Sequence, residues 1–282
     1  MSTVIIGGGV SGMTLGFLLK QLKKDVVVIE KNENIGRGRI APLTKRAIKS
    51  INLVFGEEIW EKVEKTEFSQ VTVWWKIDKF ISTMADIALV DRGALLQYFR
   101  DAYVAKGGNI IFGEAFNVDE TEKLVDVIDG GRGVKVHYDY LVVADGAGSL
   151  TRELLEPDDD KLPLTRMHHD SIGDDEVGSV VRDLYEMVPS GRDLLITHSY
   201  DVGYIGEAAG FADPISGETI SYALKTAEEM AVAIHDEGFD GCMIGDLYGL
   251  YTYNLMREVR KRGLRRKFRY KKTVLKELFI NT

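Results

Sequence analysis

The sequence is poor in features that would each indicate a particular class of protein. Of its 282 residues only Cys242 is a cysteine, which excludes an internal disulfide and a cysteine-built metal site. No apolar run approaches the length that crosses a membrane, and the first predicted core strand begins by Val4, which leaves no room for a signal peptide. These absences predict a cytoplasmic protein, and we expect the thiol of Cys242 to be buried rather than reactive.

The net charge and the composition bear on the possible partners and on the class of protein. With 36 basic and 44 acidic residues the chain has a formal net charge of −8, which argues against nucleic acid as its main partner. Its apolar fraction of 45% and charged fraction of 28% are ordinary for a soluble globular protein. A chain of this length can bury a substantial core, as one large domain or as two closely packed ones.

The strongest local pattern is a short β-branched strand that runs directly into the spacing Gly7-x-Gly9-x-x-Gly12. One glycine of such a turn makes the bend from strand to helix, the second lets backbone amides approach a pyrophosphate, and the third lets helix and strand pack closely. A helix over residues 11–24 then directs its positive end at the phosphates. Glu30 closes the next apolar run and is placed to accept hydrogen bonds from ribose hydroxyls. Because a plain glycine-rich turn would not account for Glu30, the pattern predicts a dinucleotide site.

A second pattern lies near the middle of the chain. A buried strand over residues 140–144 ends in Asp145-Gly146, and Ser149 and Arg152 follow at fixed offsets. We expect this strand to lie beside the first one, so that Asp145 falls at the carboxyl edge where an α/β sheet opens a ligand crevice. A carboxylate in that position can bind sugar hydroxyls. The alternative is that Asp145 caps a helix, since Asp and Ser are common caps.

A third pattern follows a short strand over residues 202–205. It comprises residues 206–218, from Gly206-Glu207 to Glu218, and precedes a helix predicted over residues 219–235. Glu207 is placed after the strand, where its carboxylate can accept a hydrogen bond from a ligand hydroxyl.

The remaining segments alternate between strand and helix patterns. We predict a hairpin over residues 69–84, a separate strand over residues 87–90, a helix over residues 94–106 and a second hairpin over residues 124–137. Residues 156–190 are acidic and without periodicity, and we expect their carboxylates to belong to a solvated loop.

In this order the three patterns resemble the flavoprotein family that contains para-hydroxybenzoate hydroxylase and the geranylgeranyl reductases. The first resembles the FAD motif of that family, and residues 139–152 are similar to its Asp-Gly motif. Residues 206–218 resemble the third motif in the form found in geranylgeranyl reductases, Gly-Asp/Glu-Ala-Ala-Gly-Phe followed by Pro, Gly and Glu. The sequence Val90-Asp91-Arg92 is also similar to the start of the family's second helix.

The resemblance implies that FAD is the cofactor and that it contacts all three segments. It also implies that Arg92 contacts the FAD phosphates and that the helix after Glu218 directs its amides at the flavin pyrimidine edge. Reduction places negative charge near that edge, so a helix amino end stabilises the reduced flavin. The predicted cofactor-binding residues are Gly7, Gly9, Ser11, Gly12, Glu30, Lys31, Arg39, Arg92, Asp145, Gly146, Gly206, Glu207, Gly210, Ser216, Gly217, Glu218 and Thr219.

The predicted fold is α/β, with a Rossmann-like FAD-binding domain around a central parallel sheet, a small β-containing substrate cap and C-terminal helices. We assign residues 1–52, 85–155 and 201–240 to a discontinuous FAD-binding domain. Residues 53–84 and 156–200 are assigned to a reduced substrate cap, and residues 241–282 to a basic helical C-terminal segment.

The resemblance implies an FAD-dependent oxidoreductase that reduces carbon–carbon double bonds of an isoprenoid or another apolar substrate. Two alternatives stay open, an FAD-dependent monooxygenase and a flavin-binding protein without turnover. Only residues 153–206 separate the second and third motifs, whereas geranylgeranyl reductases have a much longer substrate domain there. No side chain is identified as catalytic, because the cofactor carries the redox chemistry.

Three further expectations concern partners. Since the sequence has a single dinucleotide motif, we expect electrons to come from a separate donor. Cations accumulate from Arg257 to Lys276, which is typical either of an amphipathic helix on anionic lipid at the membrane periphery or of a solvated basic helix. No metal site is predicted, because the adjacent His168 and His169 would point apart and no third ligand is placed by spacing.

Overall fold

The structure is a computed structural model that describes residues 1–34, 40–76, 79–155, 164–169, 184–189, 198–213, 218–237 and 240–268. The strands are β1 (Ser2–Ile6), β2 (Asp25–Glu30), β3 (Ile40–Thr44), β4 (Lys65–Lys76), β5 (Lys79–Asp91), β6 (Asn109–Phe112), β7 (Glu114–Asp119), β8 (Leu124–Asp129), β9 (Arg132–His137), β10 (Tyr140–Val143), β11 (Leu164–His169), β12 (Leu184–Pro189), β13 (His198–Ser199) and β14 (Val202–Tyr204). The α-helices are α1 (Val10–Gln21), α2 (Lys45–Phe55), α3 (Arg92–Ala105), α4 (Leu150–Leu155), α5 (Ile220–Glu237) and α6 (Gly241–Phe268). Two 3₁₀ turns span Glu57–Glu61 and Gly206–Ala209.

The centre of the fold is a sheet with the strand order β13-β14-β10-β1-β2-β6. The five strands from β14 to β6 run parallel, and β13 pairs antiparallel with β14 at one edge. Within β1, Ile5 pairs with Val142 of β10 on one side and with Val28 of β2 on the other. All three side chains are fully buried, as expected for a parallel sheet that is covered on both faces. The predicted α/β class with a central parallel sheet is confirmed.

Each face of this sheet packs against a different layer. On one face, Ile5 and Val142 belong to the same core cluster as Leu15 of α1 and Leu224 of α5, and α1 packs against both α3 and α5. On the other face, β1 and β10 form a second cluster with the buried side of β8, including Val127. Strand β8 is the middle strand of the antiparallel sheet β7-β8-β9, which contains the hairpin predicted over residues 124–137.

Two other antiparallel sheets, β3-β5-β4 and β11-β12, lie among the described residues. In the sheet β3-β5-β4, strands β4 and β5 form the hairpin predicted over residues 69–84, whose tip, residues 77–78, lies outside the described part. The separate strand expected over residues 87–90 is instead the second half of β5, because the ladder to β4 continues through a bulge near Phe68 and Gln70. Strand β5 therefore crosses the predicted domain boundary between residues 84 and 85, and the division into domains stays a prediction.

The segment expected to be a solvated loop contains regular structure. Strands β11 and β12 pair antiparallel from Leu164–Pro189 to His169–Leu184. Neither strand alternates apolar with polar residues, so a period of two does not reveal the pair in the sequence. The acidic runs at residues 158–160 and 174–176 lie outside the described residues.

The helices begin where local chemistry favours them. The hydroxyl of Thr44 accepts from Ala47 N at 3.2 Å at the start of α2, and the carboxylate of Asp91 accepts from Ala94 N at 2.9 Å at the start of α3. None of the described helices is long and apolar enough to cross a membrane. The expectation of a buried Cys242 is wrong: it lies in the first turn of α6 and is exposed, because the buried side of this turn begins two residues later, at Ile244.

Candidate dinucleotide-binding site

The site is organised by the turn between β1 and α1. Gly7 has a φ of +108°, and its N–H donates to Ile29 O at 2.8 Å. A Cβ atom at this position would lie 2.4 Å from Ala144 O, so a side chain would collide with the chain as it leaves β10. The first glycine thus allows two segments that are far apart in the sequence to meet at the carboxyl edge of the sheet.

The other two glycines of the motif differ in what surrounds them. A Cβ on Gly12 would lie 1.9 Å from Gly7 O, so this glycine is needed for α1 to pack against the turn. A Cβ on Gly9 would meet no atom within 4 Å. Gly9 therefore borders open space directly before the first turn of α1, which has no capping side chain and no acidic residue. Uncapped amides beside an open glycine are the arrangement that binds a phosphate group.

Glu30 lies at the end of β2 and is held against this turn. Its Oε2 accepts from Gly8 N at 2.6 Å, and its Oε1 accepts from Asn32 N at 2.7 Å. Each carboxylate oxygen retains a further lone pair for a ribose hydroxyl. Lys31, the next predicted residue, is exposed.

Asp145 follows β10 and makes the capping contact that was one of the two alternatives for this residue, while its contact with a ligand stays a prediction. Its Oδ2 accepts from Thr151 N at 3.2 Å in the first turn of α4, which is a capping contact. Its Oδ1 is buried and has no hydrogen-bond partner among the residues that the structure describes. Burial raises the pKa of this carboxyl. Gly146 beside it has a φ of +91°, and a Cβ there would meet nothing within 4 Å. An unsatisfied acceptor next to open space fits a hydroxyl-bearing ligand.

The third segment joins the first through Gly206 and Ser11. Gly206 has a φ of +59°, and a Cβ at this position would lie 2.1 Å from the Ser11 hydroxyl oxygen. The N–H of Gly206 donates to the buried Thr226 hydroxyl at 3.0 Å. Glu207 is the second residue of the 3₁₀ turn, which Gly210 ends in the left-handed conformation, with a φ of +84°. The structure therefore brings all three predicted segments to one edge of the sheet.

The structure shows a capping contact for Glu218. Its carboxylate accepts from Ser221 N at 2.6 Å and also from the Ser221 hydroxyl, so it caps α5. Burial raises its pKa. Thr219 precedes the first residue of α5, whereas Ser216 and Gly217 lie outside the described residues. The cofactor contacts predicted for these four residues stay predictions.

The positions of the two predicted arginines do not test whether they contact a cofactor. Arg92 is the first residue of α3, a helix that packs against α1, and its contact with a cofactor stays a prediction. Arg39 lies outside the part of the chain that is described. The described residues contain no group of three or more His, Cys, Asp and Glu side chains that could hold a metal ion.

The sequence did not indicate two residues that support the site, Arg100 and Thr226, because no local pattern marks them. Arg100 Nη1 donates to Glu33 O at 2.8 Å, and its guanidinium lies 4.4 Å from the centroid of the Phe112 ring, which holds the loop after Glu30. Thr226 supports Gly206 from 20 positions further along the chain. Both contacts depend on how helices pack on the sheet, which a linear pattern does not encode.

Comparison with known proteins agrees with this geometry. Residues 5–50 match the family model described as an NAD(P)-binding Rossmann-like domain. The FAD-dependent monooxygenase pytG of Aspergillus terreus is 26% identical over 171 residues, 55% of this chain and 50% of the relative. The chain therefore spans about half the length of this curated relative.

Two solved structures resemble the whole fold. A geranylgeranyl bacteriochlorophyll reductase-like protein from Thermoplasma acidophilum has a TM-score of 0.72 at 14% identity, covering 94% of this chain and 85% of its own. PqsL, a probable FAD-dependent monooxygenase from Pseudomonas aeruginosa, has a TM-score of 0.65 at 15% identity, covering 94% of both chains. The chain thus has the fold of the FAD-dependent oxidoreductases to which para-hydroxybenzoate hydroxylase and the geranylgeranyl reductases belong, as its ordered motifs predicted.

Because Gly12 and Gly9 have different surroundings, we expect substitution by alanine to have different effects at the two positions. Gly12→Ala is expected to destabilise the protein by at least about 3 kcal/mol, because its methyl group overlaps the Gly7 carbonyl. Gly9→Ala is expected to fold like the wild type but to bind added FAD at least about tenfold more weakly, a loss of about 1.4 kcal/mol. Thermal unfolding and FAD fluorescence titration measure the two effects. Wild-type FAD affinity in folded Gly9→Ala would contradict the assignment of the open space.

Because burial raises the pKa of Asp145, we expect this residue to make the stability of the protein depend on pH. The carboxyl of Asp145 keeps its proton in the folded protein at pH values where the unfolded chain has lost it. The free energy of unfolding therefore falls as the pH rises through that range, because ionisation favours the unfolded chain. We expect Asp145→Asn to be more stable than the wild type at pH 7 by about 0.5–2 kcal/mol. The difference should vanish below about pH 4, near the ordinary pKa of Asp.

Asp126 is the matched control for this experiment. Hydrogen bonds from Asn117 and Lys135 lower the pKa of this carboxyl, so its contribution to stability is present at neutral pH and is lost as the pH falls. Asp126→Asn should therefore be less stable than the wild type at pH 7, the opposite sign. Denaturant unfolding from pH 3 to pH 8 compares the three proteins. The same sign for both variants would show that burial does not control Asp145.

Proposed function

We propose that this chain binds FAD along the carboxyl edge of its parallel sheet and acts as an FAD-dependent oxidoreductase. The observation that carries the proposal is the convergence of three distant segments at that edge. Gly7 packs against Ala144, and Gly206 packs against Ser11, so the segments that contain Asp145 and Glu207 both meet the glycine turn and the helix that follows it. Open space beside Gly9 and Gly146 leaves room for a ligand that contacts all three segments.

The chemistry of the residues suits successive parts of one elongated cofactor. Gly9 and the amides that begin α1 suit the pyrophosphate, and Glu30 suits the hydroxyls of the adenosine ribose. The orphaned oxygen of Asp145 and the carboxylate of Glu207 suit the hydroxyls of the ribityl chain. When bound, FAD supplies the redox chemistry, while the protein binds it, orients it and excludes water.

For the reaction, we propose reduction of a carbon–carbon double bond in an isoprenoid or another apolar substrate. The form of residues 206–218 and the reductase-like structural neighbour support this reaction. The alternative is monooxygenation, which the fungal relative and PqsL favour by their names. A flavin-binding protein without turnover is a third candidate, suggested by the short segment between the second and third motifs.

Two partner proposals accompany this function. The single dinucleotide motif, within the matched residues 5–50, supports a separate electron donor. Exposed Arg257, Arg260 and Lys261 on α6 support contact of this helix with an anionic membrane surface. Cosedimentation with vesicles of anionic lipid tests the second proposal, and equal recovery with neutral vesicles would refute it. A cytoplasmic location stays a prediction.

FAD binding is tested by the visible spectrum and by titration. We expect the purified protein, or the protein after incubation with FAD, to show flavin absorption. Glu30→Ala should weaken FAD binding at least about tenfold, since it removes the acceptor for the ribose hydroxyls. Glu33→Ala, on an exposed residue of the following loop, is the matched control and should bind as the wild type does. A colourless wild type after incubation refutes the proposal, whereas unchanged affinity in Glu30→Ala refutes only the role of Glu30.

Product mass distinguishes the candidate reactions. FAD on the protein is photoreduced without oxygen and mixed with an isoprenoid alkene, and oxygen is admitted in a parallel sample. Reoxidation by the alkene with the gain of two hydrogens is the expected result. Gain of one oxygen atom in the aerated sample alone would establish the monooxygenase. Flavin that no alkene reoxidises and no product in either sample would favour binding without turnover.

A further inference from the structure

An arginine on α3 contacts the exposed loop over residues 31–34, which follows Glu30. Arg100 Nη1 donates to the main-chain oxygen of Glu33 at 2.8 Å, and the guanidinium group lies 4.4 Å from the centroid of the Phe112 ring. Phe112 is the last residue of β6 and pairs with Glu30 in the parallel ladder between β2 and β6. The side chain of Arg100 therefore joins the strand beside Glu30 to the 31–34 loop.

The 31–34 loop in turn holds the carboxylate of Glu30. Asn32 N donates to Glu30 Oε1 at 2.7 Å, and on the strand side Gly113 N donates to Glu30 O at 3.0 Å. Since Asn32 lies directly before Glu33 in the chain, fixing the Glu33 carbonyl limits how far the Asn32 amide can move from the carboxylate. A continuous chain of contacts thus runs from Arg100 through Glu33 and Asn32 to Glu30.

Arg100 occupies this place at a cost to stability. Its Nη2 atom is buried and donates no hydrogen bond to any residue that the structure describes. A buried donor without an acceptor lowers the free energy of unfolding, and an apolar side chain packed on the Phe112 ring would avoid that loss. Stability alone therefore does not account for an arginine at this position, whereas a need for the donor that holds the Glu33 carbonyl does.

We propose that Arg100 is a positioning residue for the adenosine end of FAD. By bonding the carbonyl of Glu33, Arg100 holds the 31–34 loop so that the carboxylate of Glu30 stays directed at the ribose hydroxyls. This inference rests on the proposed function, since the ligand of Glu30 is FAD. Arg100 contacts only the loop and the Phe112 ring, and it acts on the cofactor through Glu30.

The test combines FAD titration with hydrogen exchange measured without FAD. Arg100→Met removes the guanidinium group and keeps an unbranched side chain on the Phe112 ring, whereas Arg100→Lys keeps the charge and a donor for the Glu33 carbonyl. Lys106→Met, on an exposed residue directly after the same helix, also removes one positive charge and is the matched control. Exchange is followed in the amides of residues 31–34, with those of β10 as an internal reference. Thermal unfolding checks that each variant is folded.

In Arg100→Met we expect exchange of the 31–34 loop to be at least about threefold faster, with β10 unchanged, and FAD binding about tenfold weaker. Arg100→Lys should lie between Arg100→Met and the wild type, and it supplies the readout if Arg100→Met does not fold. Wild-type exchange or wild-type FAD affinity in folded Arg100→Met would overturn the proposal. An equal loss of affinity in Lys106→Met would also overturn it, because net charge and not the bond to Glu33 would then set the affinity.

A double-mutant cycle separates positioning of Glu30 from a general structural role. If Arg100 acts through Glu30, Arg100→Met should change FAD affinity by less than about twofold once Glu30→Ala is present. A loss of about tenfold that persists in the Glu30→Ala background would contradict the proposal, since Arg100 would then act independently of Glu30. If the wild type fails to bind FAD, the proposed function fails, while the exchange comparison still decides whether Arg100 holds the loop.

Discussion

The structure depends on the close approach of the first turn to the strand beside it. The carbonyl of Ala144 occupies the space that a side chain on residue 7 would need, and the carbonyl of Gly7 occupies the space that one on residue 12 would need. These two steric conditions set β1, α1 and β10 at distances that no larger residue permits. Because the parallel strands end at one edge, Asp145 and Glu207 are carried to the same place as the glycine turn. The site is thus a consequence of backbone packing before any polar side chain contributes.

At this edge of the sheet the site combines acidic side chains with the positive ends of helices. Glu30, Asp145, Glu207 and Glu218 would repel a phosphate, whereas the uncapped start of α1 attracts one. Three of these carboxylates are already held by backbone amides, Glu30 by Gly8 and Asn32, Asp145 by Thr151, and Glu218 by Ser221. An anionic centre flanked by hydroxyl-bearing sugars matches this order of donors and acceptors. The arrangement therefore favours a dinucleotide over a simple anion.

Sequence reasoning succeeded where a function requires a local pattern. The strand-glycine-helix unit, the Asp-Gly step and the segment from Gly206 to Glu218 are each contiguous, so their residue types and the family resemblance that they carry predicted three segments of one site. It failed where the outcome depends on packing between distant segments. The exposure of Cys242, the continuous strand β5, the β11–β12 pair and the support of Gly206 by Thr226 are all of this kind. The ion pair of Arg262 Nε with Asp213 Oδ2, 2.6 Å apart, is a further case, because an arginine in a basic stretch gives no indication that only 13% of its side chain is exposed.

The comparison of folds also bears on the size of the substrate region. The short segment between the second and third motifs favours a protein without turnover only if a substrate domain has been lost. Yet the fold matches 85% of the reductase-like chain from Thermoplasma and 94% of PqsL, so most of each neighbour has a counterpart in this chain. The antiparallel sheet β3-β5-β4 lies before the second motif. The short segment is therefore weak support for lost turnover, because the chain has a counterpart for most of the length of both neighbours.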